Sequence, residues 1–203
     1  MTLSLLLSCT LALFVLINPV HKILVLSSLQ KQFNDKQLQY LSLKSTLTAG
    51  VILILFLLLG ELIFTYVFRI ELYAFQITCG AVLAFNGLSG LQNGVLLKID
   101  KHIALHDLSA VPIAIPMIAG PATITAAVTF PAHFGKLTTI IAILIALAVN
   151  LVCMLYAKRI GGILTKYNFM NALIRITGLI VATIGVQMIC NGIGNFIHTI
   201  HLS

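Results

Sequence analysis

The sequence carries very little charge. Only 8% of its 203 residues are Asp, Glu, Lys or Arg, and just five of them are acidic, whereas a soluble globular domain contains about 25% charged residues. Hydrophobic residues make up 60% of the chain. A water-soluble particle of this composition would expose a largely apolar surface, which soluble monomers do not do. The composition therefore excludes an ordinary soluble domain and predicts a membrane protein.

The sequence also lacks the residue patterns of common catalytic and metal sites. It has no Trp, and its four cysteines lie singly in apolar runs without CxxC spacing, as small buried hydrophobes do. Phosphate-binding loops, metalloprotease motifs and nucleophile–base pairs are not found in it. We therefore expect no enzymatic activity, no cofactor and no metal, and solute movement by such a chain would depend on gradients.

Six apolar stretches are long enough to cross a bilayer, since a spanning helix needs about 20 predominantly apolar residues. The predicted fold class is an all-α polytopic membrane protein with a single transmembrane domain over residues 1–203. The first stretch has no basic leading segment and no convincing cleavage site, so we expect it to be retained. The stretches are residues 3–29, 47–68, 72–97, 110–130, 137–157 and 173–197, with a polar cytoplasmic linker at 98–108.

Positive charge is distributed unevenly among the predicted loops. When both termini are placed on the periplasmic, external side, eight of the twelve Lys and Arg residues fall in cytoplasmic loops, two in external loops and two within spans. Cytoplasmic loops of membrane proteins are enriched in Lys and Arg. We therefore predict external termini and attribute the net charge of +7 to membrane orientation rather than to nucleic-acid binding.

The sequence resembles itself at a separation of 98 residues. In this register the third and sixth predicted spans share five identities, at Gly80/Gly178, Ala84/Ala182, Gly87/Gly185, Asn93/Asn191 and Gly94/Gly192. The first and fourth spans align at a separation of 102. Because each half contains three spans, the second half must enter the membrane with the opposite orientation. We therefore predict two inverted three-helix repeats, over about residues 1–97 and 109–203.

The first and fourth spans each contain a helix-breaking dipeptide, and the repeat aligns the two. Proline lacks the backbone N–H and clashes with the carbonyl one turn earlier, so both spans should be interrupted. Interrupted helices in opposed repeats often present free N–H and C=O groups to a solute near the bilayer midplane. The alternative is a pair of ordinary proline kinks. The predicted substrate-binding residues are Asn18, Pro19, Gly120, Pro121 and Thr123.

Three stretches of the chain resemble a known family. They read LFVLINPV at 13–20, VPIAIPMIAGPATI at 111–124 and RITGLIVATIGVQMICNGI at 175–193, and they are similar to signature stretches of the MarC family of bacterial inner-membrane proteins. The resemblance covers nearly the whole chain. It implies six spans, a location in the bacterial inner membrane, and kinship with a larger group that includes amino-acid and metabolite exporters.

The chain departs from the family pattern beside the first break. His21 stands where relatives usually carry Gly, and Leu24 where they carry Pro. In the third span, the positive charge that relatives often carry is missing from the stretch that begins at Gln76. For these reasons we carry no substrate over from the family.

Two ionisable residues are candidates for coupling transport to an ion. Glu61 lies in the second predicted span, where a carboxylate costs about 2.5–3.5 kcal/mol unless it is paired or hydrated. His21 follows the first break, and an imidazole exchanges protons near neutral pH. The alternatives are a Glu61 that reaches the external interface or pairs with Lys22 or Arg175, and a His21 without a role beyond the helix end.

The function predicted from these patterns is secondary transport of a small polar solute, such as neutral amino acids, by alternating access. Its expected partners are the solute and membrane lipid, without nucleic acid, and association into a homo-oligomer stays open. The alternative is a non-transporting membrane scaffold or accessory protein, in which the two breaks only pack helices.

Overall fold

The computed structural model describes residues 2–29, 33–93, 113–166 and 170–202. These residues contain helices and no β-strand, in agreement with the all-α prediction. Ile63–Phe68 forms wider π-type turns, and Ile113–Ile118 contains a kink at Ile115, whose backbone is extended (φ −126°, ψ 125°). The predicted linker at 98–108 lies outside the described residues. The α-helices are α1 (Leu3–Ile17), α2 (Pro19–Leu29), α3 (Asp35–Leu62), α4 (Leu72–Asn93), α5 (Pro121–Phe134), α6 (Lys136–Leu155), α7 (Ala157–Lys166) and α8 (Met170–Leu202).

Five helical stretches of the described chain are long and apolar enough to cross a membrane. The chain is therefore a polytopic helical membrane protein. The fourth predicted span does not form one long helix, because Ala119 and Gly120 separate Ile113–Ile118 from α5. The five stretches are Leu3–Ser27, Asp35–Gly60, Leu72–Gln92, Lys136–Leu155 and Ala172–Ile200.

Helix α3 begins well before the predicted start of the second span at residue 47, so that boundary was wrong. The Asn34 side chain accepts a hydrogen bond from the Gln37 N–H at 2.9 Å, and the Gln37 side chain accepts one from the Asn34 N–H at 2.9 Å. This reciprocal cap fixes a helix start within polar residues, which hydropathy does not detect. Glu61 lies in the last turn of α3, which continues directly into the π-type turns of Ile63–Phe68. The Glu61 side chain is outside the described part of the structure.

The hydrophobic core lies among α1, α2, α3, α5 and α6. Small residues at helix contacts let membrane helices approach closely, and alanines occupy many of these positions. Large apolar side chains elsewhere are exposed, among them Leu3 and Phe85 at 72% each, as expected of a lipid-facing surface. Completely buried core residues include Leu13, Ile17, Leu41, Leu53, Ala127, Ala142 and Ile143.

Helices α4 and α8 pack against each other along their length through a seam of glycines. A methyl group added at Gly80 would lie 2.6 Å from the Gly185 carbonyl oxygen, and one added at Gly87 would lie 2.6 Å from the Gly178 carbonyl oxygen. The contacts are reciprocal. A methyl group at Gly185 would lie 2.6 Å from the Gly80 carbonyl oxygen, and one at Gly178 would lie 2.8 Å from the Gly87 carbonyl oxygen. The two helices are therefore antiparallel, with backbones in direct contact.

The short helix α7 was not predicted, because its residues were assigned to a cytoplasmic loop. It follows α6 after Tyr156 and packs on α2. A side chain at Gly161 would overlap Ser27 of α2, so this glycine permits the contact. Lys158 and Arg159 are exposed on α7, whereas Ala157 is buried. The helix is amphipathic, with one face on the protein and charged residues facing outward.

Candidate functional site

The first helix is interrupted at Asn18, as predicted. Asn18 adopts a left-handed conformation (φ 55°, ψ 72°) between the end of α1 at Ile17 and the start of α2 at Pro19. A residue that precedes proline is disfavoured in the right-handed helical region, and Asn tolerates the left-handed region better than most residues. The Asn-Pro pair therefore forces the break by local chemistry alone.

A buried lysine forms a hydrogen bond with a free backbone carbonyl at this first break. The Lys22 side chain is 1% exposed, and its ammonium donates a hydrogen bond to the Ile17 carbonyl, which the break leaves free. Among the described side chains, no carboxylate forms an ion pair with Lys22. The sequence pattern suggested Lys22 only as a counter-charge for Glu61. The signal for a larger role was its position, because an ionisable residue inside a membrane span is a functional candidate by default.

Two further polar groups at the first break are buried without a partner among the described residues. They are the Asn18 amide nitrogen and the His21 Nε2. The Asn18 Oδ1 accepts a long hydrogen bond of 3.4 Å from the His21 backbone N–H. Buried polar atoms are normally paired, and an exception in a folded protein calls for an explanation such as a ligand. The structure thus places Asn18, His21 and Lys22 in one polar cluster.

At the second interruption, a neutral hydroxyl forms the hydrogen bond with the free backbone carbonyl. Gly120 is extended (φ −88°, ψ 174°), and Pro121 occupies the first position of α5, where the missing N–H costs nothing. The Thr123 hydroxyl donates to the Ile118 carbonyl at 2.8 Å and lies 2.9 Å from the Gly120 carbonyl. Thr123 is 1% exposed. In this conformation its hydroxyl therefore serves the break itself, and its contact with a solute stays a prediction.

A cavity of about 500 Å³ lies between α1, α4, α5 and α8. Its size is within the range of ligand pockets. It reaches Leu16 of α1, close to the first break, and Ala122 of α5, directly after the second break. None of the predicted site residues lines it. The lining includes the polar residues Gln76, Thr125, Thr129, Gln187 and Asn191.

The polar side chains of the cavity form hydrogen bonds across and along the α4–α8 pair. Buried Gln76 of α4 accepts a hydrogen bond from the Asn195 amide of α8 at 3.0 Å. On α8, the Gln187 amide donates to the Asn191 oxygen at 2.8 Å. The sequence pattern predicted no site role for Gln76, Asn191 or Asn195. The available signal was the spacing of four residues, which puts Gln187, Asn191 and Asn195 on one helix face.

These observations define a class of protein: a polytopic helical membrane protein with two interrupted helices and, between its spans, a mainly apolar cavity that contains several polar side chains. The model of the MarC family of integral membrane proteins matches residues 3–197. The chain therefore belongs to the MarC family, as its three signature stretches indicated.

Relatives in this family come from archaea and bacteria. The chain is 36% identical over 191 residues to a UPF0056 membrane protein of Pyrococcus horikoshii, covering 94% of each chain. It is 30% identical over 191 residues to a UPF0056 membrane protein of Methanocaldococcus jannaschii, covering 90% of this chain and 92% of that one. A UPF0056 membrane protein of Bacillus subtilis is also 30% identical, with 90% of both chains covered. No solved structure matches the chain.

Proposed function

We propose that the protein is a secondary transporter of a small polar solute, with neutral amino acids as the first candidates. The observation that carries the proposal is the 500 Å³ cavity with amide and hydroxyl groups, bordered by residues next to both helix interruptions. Irregular backbone inside a membrane is tolerated where it is buried in protein or lines a cavity. A protein that only packs helices needs neither paired interruptions nor a cavity with amide and hydroxyl groups beside them.

The first break supplies the groups that suit a carboxylate. Lys22 offers an ammonium and Asn18 an amide N–H without a partner, and charge-assisted hydrogen bonds are roughly twice as strong as neutral ones. These groups are buried in the conformation described. Alternating access would therefore have to open the space between Leu16 of the cavity and Asn18 of the break.

Six spans in two inverted repeats provide the machinery for this motion in our proposal. The fourth span would consist of Ile113–Ile118 and α5, interrupted as the first is at Asn18. Support comes from the glycine seam, where the contact of Gly80 with Gly185 recurs as the contact of Gly178 with Gly87. The repeat separation of 98 residues relates Gly80 to Gly178 and Gly87 to Gly185, so it converts each contact into the other. A two-fold axis in the membrane plane would produce this relation.

We propose that both termini lie outside the cytoplasmic membrane, which in a bacterium is the inner membrane. Lys158 forms an ion pair with Asp35 at 2.7 Å, so the start of α3 and the segment after α6 lie at one end of the bundle. Lys136 begins α6 at the other end. The end that carries Lys36, Lys44, Lys158 and Arg159 is the more basic, and the positive-inside rule assigns it to the cytoplasm.

Purified protein reconstituted into liposomes tests the transport proposal. Uptake and counterflow of a panel of labelled neutral amino acids should show saturable flux for at least one of them. Thr125→Val should reduce that flux because it removes a hydroxyl of the cavity. Thr183→Val is the matched control, since the Thr183 hydroxyl also bonds a helix carbonyl at 2.9 Å but is exposed on α8 and does not line the cavity.

Absence of flux for every solute, in protein shown to be folded, would contradict the proposal and favour the scaffold. Equal loss of flux in Thr125→Val and Thr183→Val would reject the cavity as the solute path while leaving transport itself intact.

Glu61 and His21 are the proposed coupling residues. A carboxylate or imidazole that carries a proton with the solute makes flux depend on the pH gradient. Glu61→Gln and His21→Gln remove these titrating groups one at a time, so one of the two variants should abolish the dependence of uptake on an imposed gradient. Uptake that responds to the gradient as before in both variants would exclude proton coupling through either residue.

A further inference from the structure

A second cavity, of about 810 Å³, opens at the basic end of the bundle. We call it the interfacial groove, and it lies between α2, α3, α6 and α7, away from both breaks. Its inner wall is apolar, formed by Leu26, Leu38, Leu151 and Met154. Its outer members are charged and aromatic: Asp35, Lys36, Tyr40, Tyr156, Lys158 and Arg159.

The charges of the groove leave an excess of positive charge. Lys158 is paired with Asp35, with 2.7 Å between its ammonium and each carboxylate oxygen, so these two side chains neutralise each other. Lys36 and Arg159 remain and are exposed. The Arg159 guanidinium lies 5.9 Å from the Tyr156 ring centre, and the Lys44 ammonium lies 5.6 Å from the Tyr40 ring centre. Exposed tyrosines with cations beside them are typical of the membrane–water interface.

Helix α7 gives the groove its shape. It is held against α2 through Gly161, and it carries Arg159 at the edge of the groove while Ala157 is buried beneath. A short amphipathic helix with basic residues on its polar face is suited to the headgroup level of a bilayer. The groove therefore offers a basic edge at headgroup depth and an apolar wall beside it.

We propose that the interfacial groove binds an anionic phospholipid of the surrounding leaflet. Lys36 and Arg159 would contact the phosphodiester and headgroup, and one acyl chain would lie along Leu38, Leu151 and Met154. Basic pockets between membrane helices on the cytoplasmic side are known to recognise anionic headgroups. The apolar wall favours a lipid over a free phosphate compound, because a soluble anion would leave this wall unoccupied. The proposal does not depend on transport activity.

Native mass spectrometry of the full-length protein in detergent tests this proposal with phosphatidylglycerol and phosphatidylcholine of equal chain length. Wild-type protein should bind phosphatidylglycerol more tightly. The double substitution Lys36→Gln and Arg159→Gln should weaken that binding by about 30-fold, since each basic residue near anionic lipid contributes about 1 kcal/mol, and should leave phosphatidylcholine binding unchanged. Lys136→Gln, at the opposite end of α6, is the matched control and should have no effect.

Several results would overturn the proposal. One is equal affinity of the wild-type protein for the two lipids. Another is retention of the phosphatidylglycerol preference in the double variant, and a third is the same loss in Lys136→Gln. Competition by millimolar glycerol phosphate as strong as that by phosphatidylglycerol would show that the groove binds a soluble phosphate compound instead. Because Lys36 and Arg159 are exposed, size-exclusion chromatography should find the variants folded.

Discussion

A proline interrupts each of the two helices, but different side chains satisfy the backbone carbonyls at the two interruptions. In both, a side chain just after the proline donates to a carbonyl five residues earlier, Lys22 to Ile17 and Thr123 to Ile118. The second break is satisfied by a neutral hydroxyl. The first break depends on a buried ammonium, which is far more costly to place in a membrane protein than a hydroxyl is.

The difference extends to the neighbouring polar groups. At the second break Thr125 also bonds a helix carbonyl, that of Pro121, at 2.9 Å. At the first break the Asn18 amide nitrogen and the His21 Nε2 are buried without partners among the described residues. Buried polar groups that stay unpaired cost stability and are kept where they have another use. The second break is therefore satisfied internally, whereas the first leaves two buried polar atoms that could contact the solute of our proposal.

Replacing Lys22 tests this difference most strongly. Lys22→Met keeps the length of the side chain and removes the charge, so we expect uptake to fall about ten- to a hundredfold, because a hydrogen bond to a charged group contributes about 1.5–3 kcal/mol. Thermal stability should change little, since the lost bond to Ile17 is offset by removal of a buried charge. Initial uptake rates in liposomes, corrected for folded protein, give the answer. Unchanged uptake would mean that Lys22 only closes the helix.

Substitutions in the glycine seam test whether the two halves of the protein are structurally equivalent. Gly87→Ala and Gly185→Ala each place a methyl group against backbone atoms of the facing helix, and overpacking of this kind costs about 1–3 kcal/mol. Because the contacts are reciprocal, we expect equal losses of thermal stability in the two variants. Thermal unfolding followed by circular dichroism compares the two variants.

Gly194→Ala is the control for the seam. An added methyl group there meets no atom within 4 Å, and alanine favours a helix over glycine by about 1 kcal/mol. Its melting temperature should stay the same or rise. Clearly unequal effects of Gly87→Ala and Gly185→Ala would break the proposed equivalence of the two halves.

Thr123→Val should separate stability from function at the second break. Loss of the hydroxyl removes the side-chain donor to the Ile118 carbonyl, at an expected cost of about 1–3 kcal/mol. Solute affinity should stay within about twofold, which is under 0.5 kcal/mol. Thermal unfolding and solute counterflow measure the two quantities. Loss of affinity at full stability would instead assign the solute to the second break.

Asn18 gives the smallest expected effect and separates backbone conformation from side-chain chemistry. Asn18→Gly retains the left-handed conformation without strain, whereas Asn18→Ala should be less stable than Asn18→Gly by about 1 kcal/mol, the cost of that conformation for alanine. Thermal unfolding compares the two variants. Equal loss of transport in the two variants would show that the solute requires the Asn18 amide group. Equal thermal stability of the two variants would contradict the argument from the left-handed backbone conformation.

Much of the fold follows from local patterns in the sequence. The break at Asn18-Pro19 and the start of α5 at Pro121 are where the prolines predict them, because proline acts on its own turn of helix. The early start of α3 was missed, although Asn34 and Gln37 form a recognisable capping pair. Helix α7 was missed because ten charged and apolar residues are too short and too polar to be detected by hydropathy.

The polar site was less predictable than the breaks. Lys22 and Gln76 are ordinary residues of apolar or mixed segments until other helices pack around them. Helices α6, α7 and α8 contact the helix of Lys22, and α5 and α8 contact the helix of Gln76. Their burial and their partners depend on residues far away in the chain. No local pattern contains that information, which is why the predicted site residues lie beside the cavity instead of lining it.

The sequence by itself determined that this protein lives in a membrane, that its charge favours one orientation, and that two of its helices are broken by proline. These properties follow from composition and from the covalent geometry of single turns. Only the tertiary structure decided that a hydroxyl satisfies one break and a buried ammonium the other. It also decided that a cavity with a few polar side chains lies between α1 and the α4–α8 pair. Burial and hydrogen-bond satisfaction depend on which helices become neighbours, so they arise only when the chain has packed.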